Sequence, residues 1–188
     1  MIELIKKSQP LVGKSKRLWT VGSDESLEQS VYQLNHAGLW LDKKEAMDKC
    51  GKSSDPAAIE AIINALNQPF WNIKTMAMSK IKKAVQAKPE VVKNKLTELS
   101  TEDKNPKVRA KAIKTLMKYF SEDKALISAY EAGLKDSSYR VIGNALAGIA
   151  SIDTEKGLMM ARSMEGLESA SVNNAIAAIY AKKGDLKE

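Results

Sequence analysis

Cysteine and histidine each occur once in the chain, as Cys50 and His36, and aromatic residues make up only 5% of it. A lone cysteine excludes an internal disulfide and leaves the redox compartment open. Zinc takes three or four protein ligands, and one histidine plus one cysteine would leave the rest to carboxylates, so no metal or cofactor is expected in this chain. The ten glycines are scattered, and no phosphate-cradling glycine loop occurs. No run approaches the ~20 apolar residues of a membrane-spanning helix. The first 25 residues also lack an apolar stretch ending in a small-residue cleavage site. The chain therefore reads as soluble, without a signal peptide, and either cytoplasmic or exported as part of a longer protein. Its apolar share of 44% over 188 residues suffices for a core.

Both rare residues fall in one stretch, "YQLNHAGLWLDKKEAMDKC", residues 32 to 50. Crowded lysines and carboxylates there invite a catalytic reading, but the chemistry opposes it. Cys50 is expected at a helix C-terminus, where the dipole raises a thiol pKa, and His36 precedes that helix. Asp42, Glu45 and Asp48 alternate with Lys43, Lys44 and Lys49 as on a solvated helix face. No catalytic residue is expected, and the chain alone is not read as an enzyme.

The net charge of +7 is local. Residues 51 to 120 hold 14 Lys and Arg against 6 Asp and Glu, while the segments on either side are nearly balanced. Lysines from Lys74 to Lys118, with Arg109, could form a stripe along successive helices, which keeps a basic groove for nucleic acid as one reading. Lysine-rich solvated faces are routine, however, and nucleic acid is not the expected partner.

Along the chain, residues 1–30 differ from the rest. "IELIKK" and "RLWTV", separated by Pro10 and Gly13, read as an extended or β arm. From residue 31 to 188 the period is helical. "DKKEAMDKC" opens on an Asp42/Glu45 capping pair and is stopped by Gly51. In "DPAAIEAIINAL", Asp55 caps and Pro56 takes the first helical position. Ile59, Ile62, Ile63 and Leu66 then share a face.

The pattern then recurs. "IKTMAMSKI", "VRAKAIKTL", "VIGNALAGI" and "VNNAIAAIY" begin at 73, 108, 141 and 172, with Ala77, Ala112, Ala145 and Ile176 at the fifth position. Partner helices are expected over 56–66, 89–99, 123–134 and 154–164. Spacings near 33 residues mark a solenoid of helix pairs, in which neither helix can bury its stripe alone. The expected fold is an all-α superhelix with a short N-terminal appendage. Trp71 and Tyr139 are expected to cover the ends of adjoining helices.

Val108-Arg109 with Ala112 resembles the second helix of a HEAT repeat, and Ile73-Lys74 is a milder match; the resemblance covers residues 55–183. Lys74 and Arg109 then occupy equivalent positions and form a candidate interaction surface. A second resemblance is more specific. Tyr32, His36, Ala37, Trp40, Asp42 and Glu45, followed by Phe70, Trp71, Ile73 and Lys74, look like the start of the C-terminal helical region of bacterial alanyl-aminopeptidase-type zinc metallopeptidases. That resemblance implies a noncatalytic domain that covers the catalytic domain and shapes peptide access, with residues 1–30 the remnant of a β-sandwich. His36 would be structural, fixing the chain at the first helix. The zinc would belong to a domain outside this chain, since His-Glu-x-x-His and Gly-x-Met-Glu-Asn are absent here. The implied partners are that catalytic domain and its peptide substrates, with no membrane. The alternative is a freestanding HEAT-like scaffold for protein–protein interaction.

Overall fold

The computed structural model describes residues 26–184; of the arm expected over residues 1–30, residues 1–25 lie outside them. All regular elements among the described residues are helical, in keeping with an all-α fold of helix pairs. The chain divides into two compact units, one through Val92 and one from Lys93.

The first unit holds α1 (Leu27–His36), α2 (Trp40–Cys50), α3 (Pro56–Ala65), α4 (Trp71–Ser79) and α5 (Lys82–Ala87). Helix α1 begins inside the stretch read as an arm. Its start is a capping box: the Gln29 amide donates to Ser26 Oγ at 3.2 Å and the Ser26 amide to Gln29 Oε1 at 3.0 Å. The expected Asp42/Glu45 capping pair does not form. Helix α2 starts at Trp40 without a side-chain cap, and Asp42 lies fully buried in its first turn. Gly51 does stop α2, but with a right-handed φ of −68°. What requires glycine is proximity, because a Cβ there would lie 2.6 Å from Lys80 Cβ. Lys80 ends α4 and pairs with Asp48 of α2 at 2.6 Å.

Helix α3 follows its sequence closely. Asp55 Oδ1 accepts the Ala57 amide at 2.8 Å, Pro56 leads, and Ile59, Ile62, Ile63 and Leu66 are all buried. Helix α1 packs on α2 and α3, α2 on α4, and α3 on α4 and α5. The break between α4 and α5, at Lys80 and Ile81, interrupts what reads as one continuous helical pattern. Trp71 is half-buried at the start of α4, edge-on to Phe70 at 6.0 Å.

The division falls inside α6 (Pro89–Glu102). The second unit continues with α7 (Pro106–Tyr119), a 3₁₀ turn (Lys124–Leu126) running into α8 (Ile127–Gly133), α9 (Tyr139–Ile152), α10 (Thr154–Ser163) and α11 (Ala170–Lys183). Helix α9 packs against α7, α8, α10 and α11. The repeated register is the core register. Val108, Val141 and Val172 are fully buried, as are Ala112, Ala145, Leu116 and Ile149, and Ile73, Ala77 and Ile81 take the same positions in the first unit. Each buried Val, Ile or Leu contributes roughly 1.5–3 kcal/mol. Small residues set the spacing between helices: a Cβ on Gly143 of α9 would run into the Ser171 carbonyl of α11. Tyr139, expected to cover a helix end, is instead 52% exposed.

Candidate interaction surface

Residues from Tyr32 to Glu45 form one corner, where the end of α1 meets the start of α2. Gln33 Nε2 donates to the Asp42 carbonyl at 2.9 Å, and Lys43 Nζ donates to the carbonyls of Leu34 at 2.9 Å and Asn35 at 3.4 Å. The Leu34 and Asn35 carbonyls belong to the last turn of α1, which has no intrahelical donors left to offer them. Lys43 therefore closes one helix from the next, and burial lowers its ammonium pKa. Asp42 sits in the first turn of α2, where the helix dipole favours negative charge. Ala37 is buried, while Trp40 remains 40% exposed and Glu45 is half-buried.

His36 lies at the end of α1, ahead of the start of α2 at Trp40. Its ring is exposed and stacks on Tyr32, four residues earlier, with centroids 4.3 Å apart. Cys50 is buried at the end of α2, and burial pushes its thiol up to about 11, the opposite of an activated nucleophile. Among the described residues no three His, Cys, Asp or Glu side chains gather as a metal site, and no helix is long and apolar enough to cross a membrane.

The lysines between Lys74 and Lys118 are divided between the two units, and some of the cations of this segment are engaged locally. Lys80 is turned to Asp48, and Arg109 is engaged within its own unit. The Arg109 guanidinium grips Asp136 through Nε at 2.6 Å and a second nitrogen at 2.7 Å, and its third reaches the Asp103 carbonyl at 2.7 Å. Burial disfavours the Asp136 carboxylate, but Arg109 and the Ser138 amide hold its pKa below the usual range. The pair joins the turn before α9 to the body of α7, 27 residues apart in sequence. Arg109 thus works as a rung between repeats, and Lys74 is half-buried in α4. Sequence reasoning paired Arg109 with Lys74 by repeat position. The Asp-x-Ser/Asn element of each turn, Asp103-Lys-Asn105 and Asp136-Ser-Ser138, was the available signal for the rung, since both aspartates accept an amide two residues on.

A smaller row survives on α7. Lys107, Lys111, Lys114 and Lys118 recur at helical spacing along it, and Lys107, Lys114 and Lys118 are exposed. Beside α9, Asn144 Nδ2 donates to the Ala110 carbonyl of α7 at 2.9 Å, fixing the two helices side by side. Between α9 and α11 lies a trough of about 140 Å³ lined mainly by Ala147, Ala150, Ala175, Ala178 and Ile179. Comparison with sequence models of known protein families finds no match for this chain, and comparison with curated proteins finds no significant relative.

Proposed function

We propose that this chain is a noncatalytic helical part of a larger zinc aminopeptidase, one that covers the catalytic domain and shapes the route of peptides to it. The observation that carries the reading is the α1–α2 corner. The residues through which the chain resembles that family, Tyr32 to Glu45, fall on two packed helices, and the polar contacts between those helices close backbone groups. That is what a structural signature of a helical domain requires, and it leaves His36 as a stacking residue. The zinc of such an enzyme would be held outside this chain, and the residues here do not fit it.

The DNA immediately upstream of the Met1 codon tests the reading. A continuous open frame encoding His-Glu-x-x-His supports it. A stop codon followed by a native start overturns it in favour of a freestanding helix-pair scaffold. The isolated chain is expected to hydrolyse no aminoacyl-anilide with or without added zinc.

A further inference from the structure

Charge in the second unit is segregated by helix. Helices α7, α9 and α11, of 14 residues each, contain no aspartate or glutamate. Together they carry Lys107, Arg109, Lys111, Lys114 and Lys118 on α7, Arg140 on α9, and Lys182 and Lys183 on α11. Every carboxylate of the described second unit lies on α6, α8, α10 or a connecting turn. One layer of the unit is therefore cationic, with Arg109 answered by Asp136 of the adjoining turn.

Repeat register shows that the lysine row and the alanine trough share a side. Val108, Val141 and Val172 are equivalent, so Lys114 of α7 corresponds to Ala147 of α9 and Ala178 of α11, and Lys118 corresponds to Ser151 and Lys182. Ala147, Ser151, Ala178 and Lys182 all line the trough. Lys111 and Lys114 have no counter-ion among the described residues, and the Lys118 ammonium rests 5.1 Å over the Tyr119 ring. The face thus offers an apolar channel with ammonium groups along one flank and Lys182 at its end.

We propose that this face docks an acidic, amphipathic helical segment of a partner protein. The partner's apolar stripe lies in the alanine trough, and its carboxylates meet Lys111, Lys114 and Lys118. Small side chains let a second helix approach closely, and the channel from Ala147 to Thr154 spans about two helical turns. Charge complementarity selects acidic flanks on that helix. A nucleic-acid backbone would use the cations and leave the alanine methyls without a partner. The guanidinium of α7 best suited to phosphate, Arg109, is already bound to Asp136.

The full chain should be titrated, at low and at physiological salt, into a fluorescent synthetic helix with leucines on one face and glutamates flanking them. A scrambled peptide of the same composition and a short DNA duplex serve as comparisons. Saturable, salt-sensitive binding is expected for the amphipathic peptide. It should weaken about tenfold in the Lys111→Glu/Lys114→Glu double variant and in Ala178→Glu, which places a carboxylate beside the channel. Lys124→Glu, away from this layer, should leave binding unchanged, and thermal melts establish that each variant folds. Absent binding, equal binding of the scrambled peptide, tighter binding of the duplex, or indifference to the α7 and α11 substitutions would each overturn the proposal. It does not rest on the aminopeptidase reading, and its failure would leave that reading intact.

Discussion

In the first unit, the α1–α2 corner buries Ser30, Gln33, Asp42 and Lys43, and two of these reach across to the neighbouring helix. Among the described residues of the second unit the buried polar side chains are Ser100 and Thr115, and each returns its hydroxyl to a carbonyl of its own helix. Across its helix layer the half-buried Asn144 reaches the Ala110 carbonyl, and its ion pair of Arg109 with Asp136 sits at a turn. A repeated interface must accept the same neighbour several times over, and valine, alanine and leucine do so without directional demands. A corner used once can carry hydrogen bonds that fit only one arrangement of two helices.

The largest effect should come from breaking the repeated layer. Leu146 of α9 is fully buried in the cluster that includes Leu158, Val172 and Ile176. Leu146→Ala should cost about 3 kcal/mol through lost burial and an unfilled cavity, read as a fall in the urea midpoint. A loss smaller than those predicted below would mean that apolar stacking is not what holds the second unit.

Breaking the corner comes next. Lys43→Met keeps the aliphatic stem and removes the ammonium from the Leu34 and Asn35 carbonyls. About 2 kcal/mol should be lost, because buried acceptors are left bare. Hydrogen exchange should quicken in the last turn of α1 and the first turn of α2, with the second unit unaffected. A neutral substitution would show that burying the lysine charge costs as much as its hydrogen bonds return.

Sequence and structure diverge according to the same distinction. The repeat register was legible because one apolar pattern recurs at 73, 108, 141 and 172 and meets the same kind of neighbour each time. The helix at 56 was legible because Asp55 and Pro56 act locally. Helix α1 was hidden by the strand-like stretches preceding it, although Ser26-x-x-Gln29 spells a capping box. Asp42 was misplaced because an Asp-x-x-Glu spacing fits a cap and a first turn equally. The start of α2 at Trp40 has no side-chain cap, and its first turn is instead tied to α1 by Gln33 and Lys43, each nine residues from its partner. The rung from Arg109 to Asp136 is likewise tertiary, and the same residue type in the same pattern could have faced outward.

The rung gives the comparison a pH dependence. Asp136 has a folded pKa below its unfolded value, so the stabilisation from its pairing is fully present above the unfolded pKa of about 4 and is lost as pH falls through the folded value. Asp136→Asn preserves an acceptor for the Ser138 amide while removing the charge opposite Arg109. At neutral pH it should destabilise the chain by about 1.5 kcal/mol, and the difference from the parent should close only in acid below about pH 4. A constant difference across that range would assign the loss to altered packing at the turn instead of to the ion pair.

The smallest effect belongs to the residue that first suggests chemistry. His36 stacks on Tyr32 along the exposed side of α1, a contact between residues four apart on one helix. Such a pair is worth about 0.5 kcal/mol, so His36→Ala should lower stability by that amount, well short of the loss from Lys43→Met a few residues away. The two substitutions separate the rim of the corner from its interior. A loss near 2 kcal/mol for His36→Ala would place the imidazole among the groups that hold α1 to α2, as the family resemblance implied. A loss near the smaller figure leaves that work to Gln33 and Lys43, whose polar atoms reach the backbone of the opposite helix.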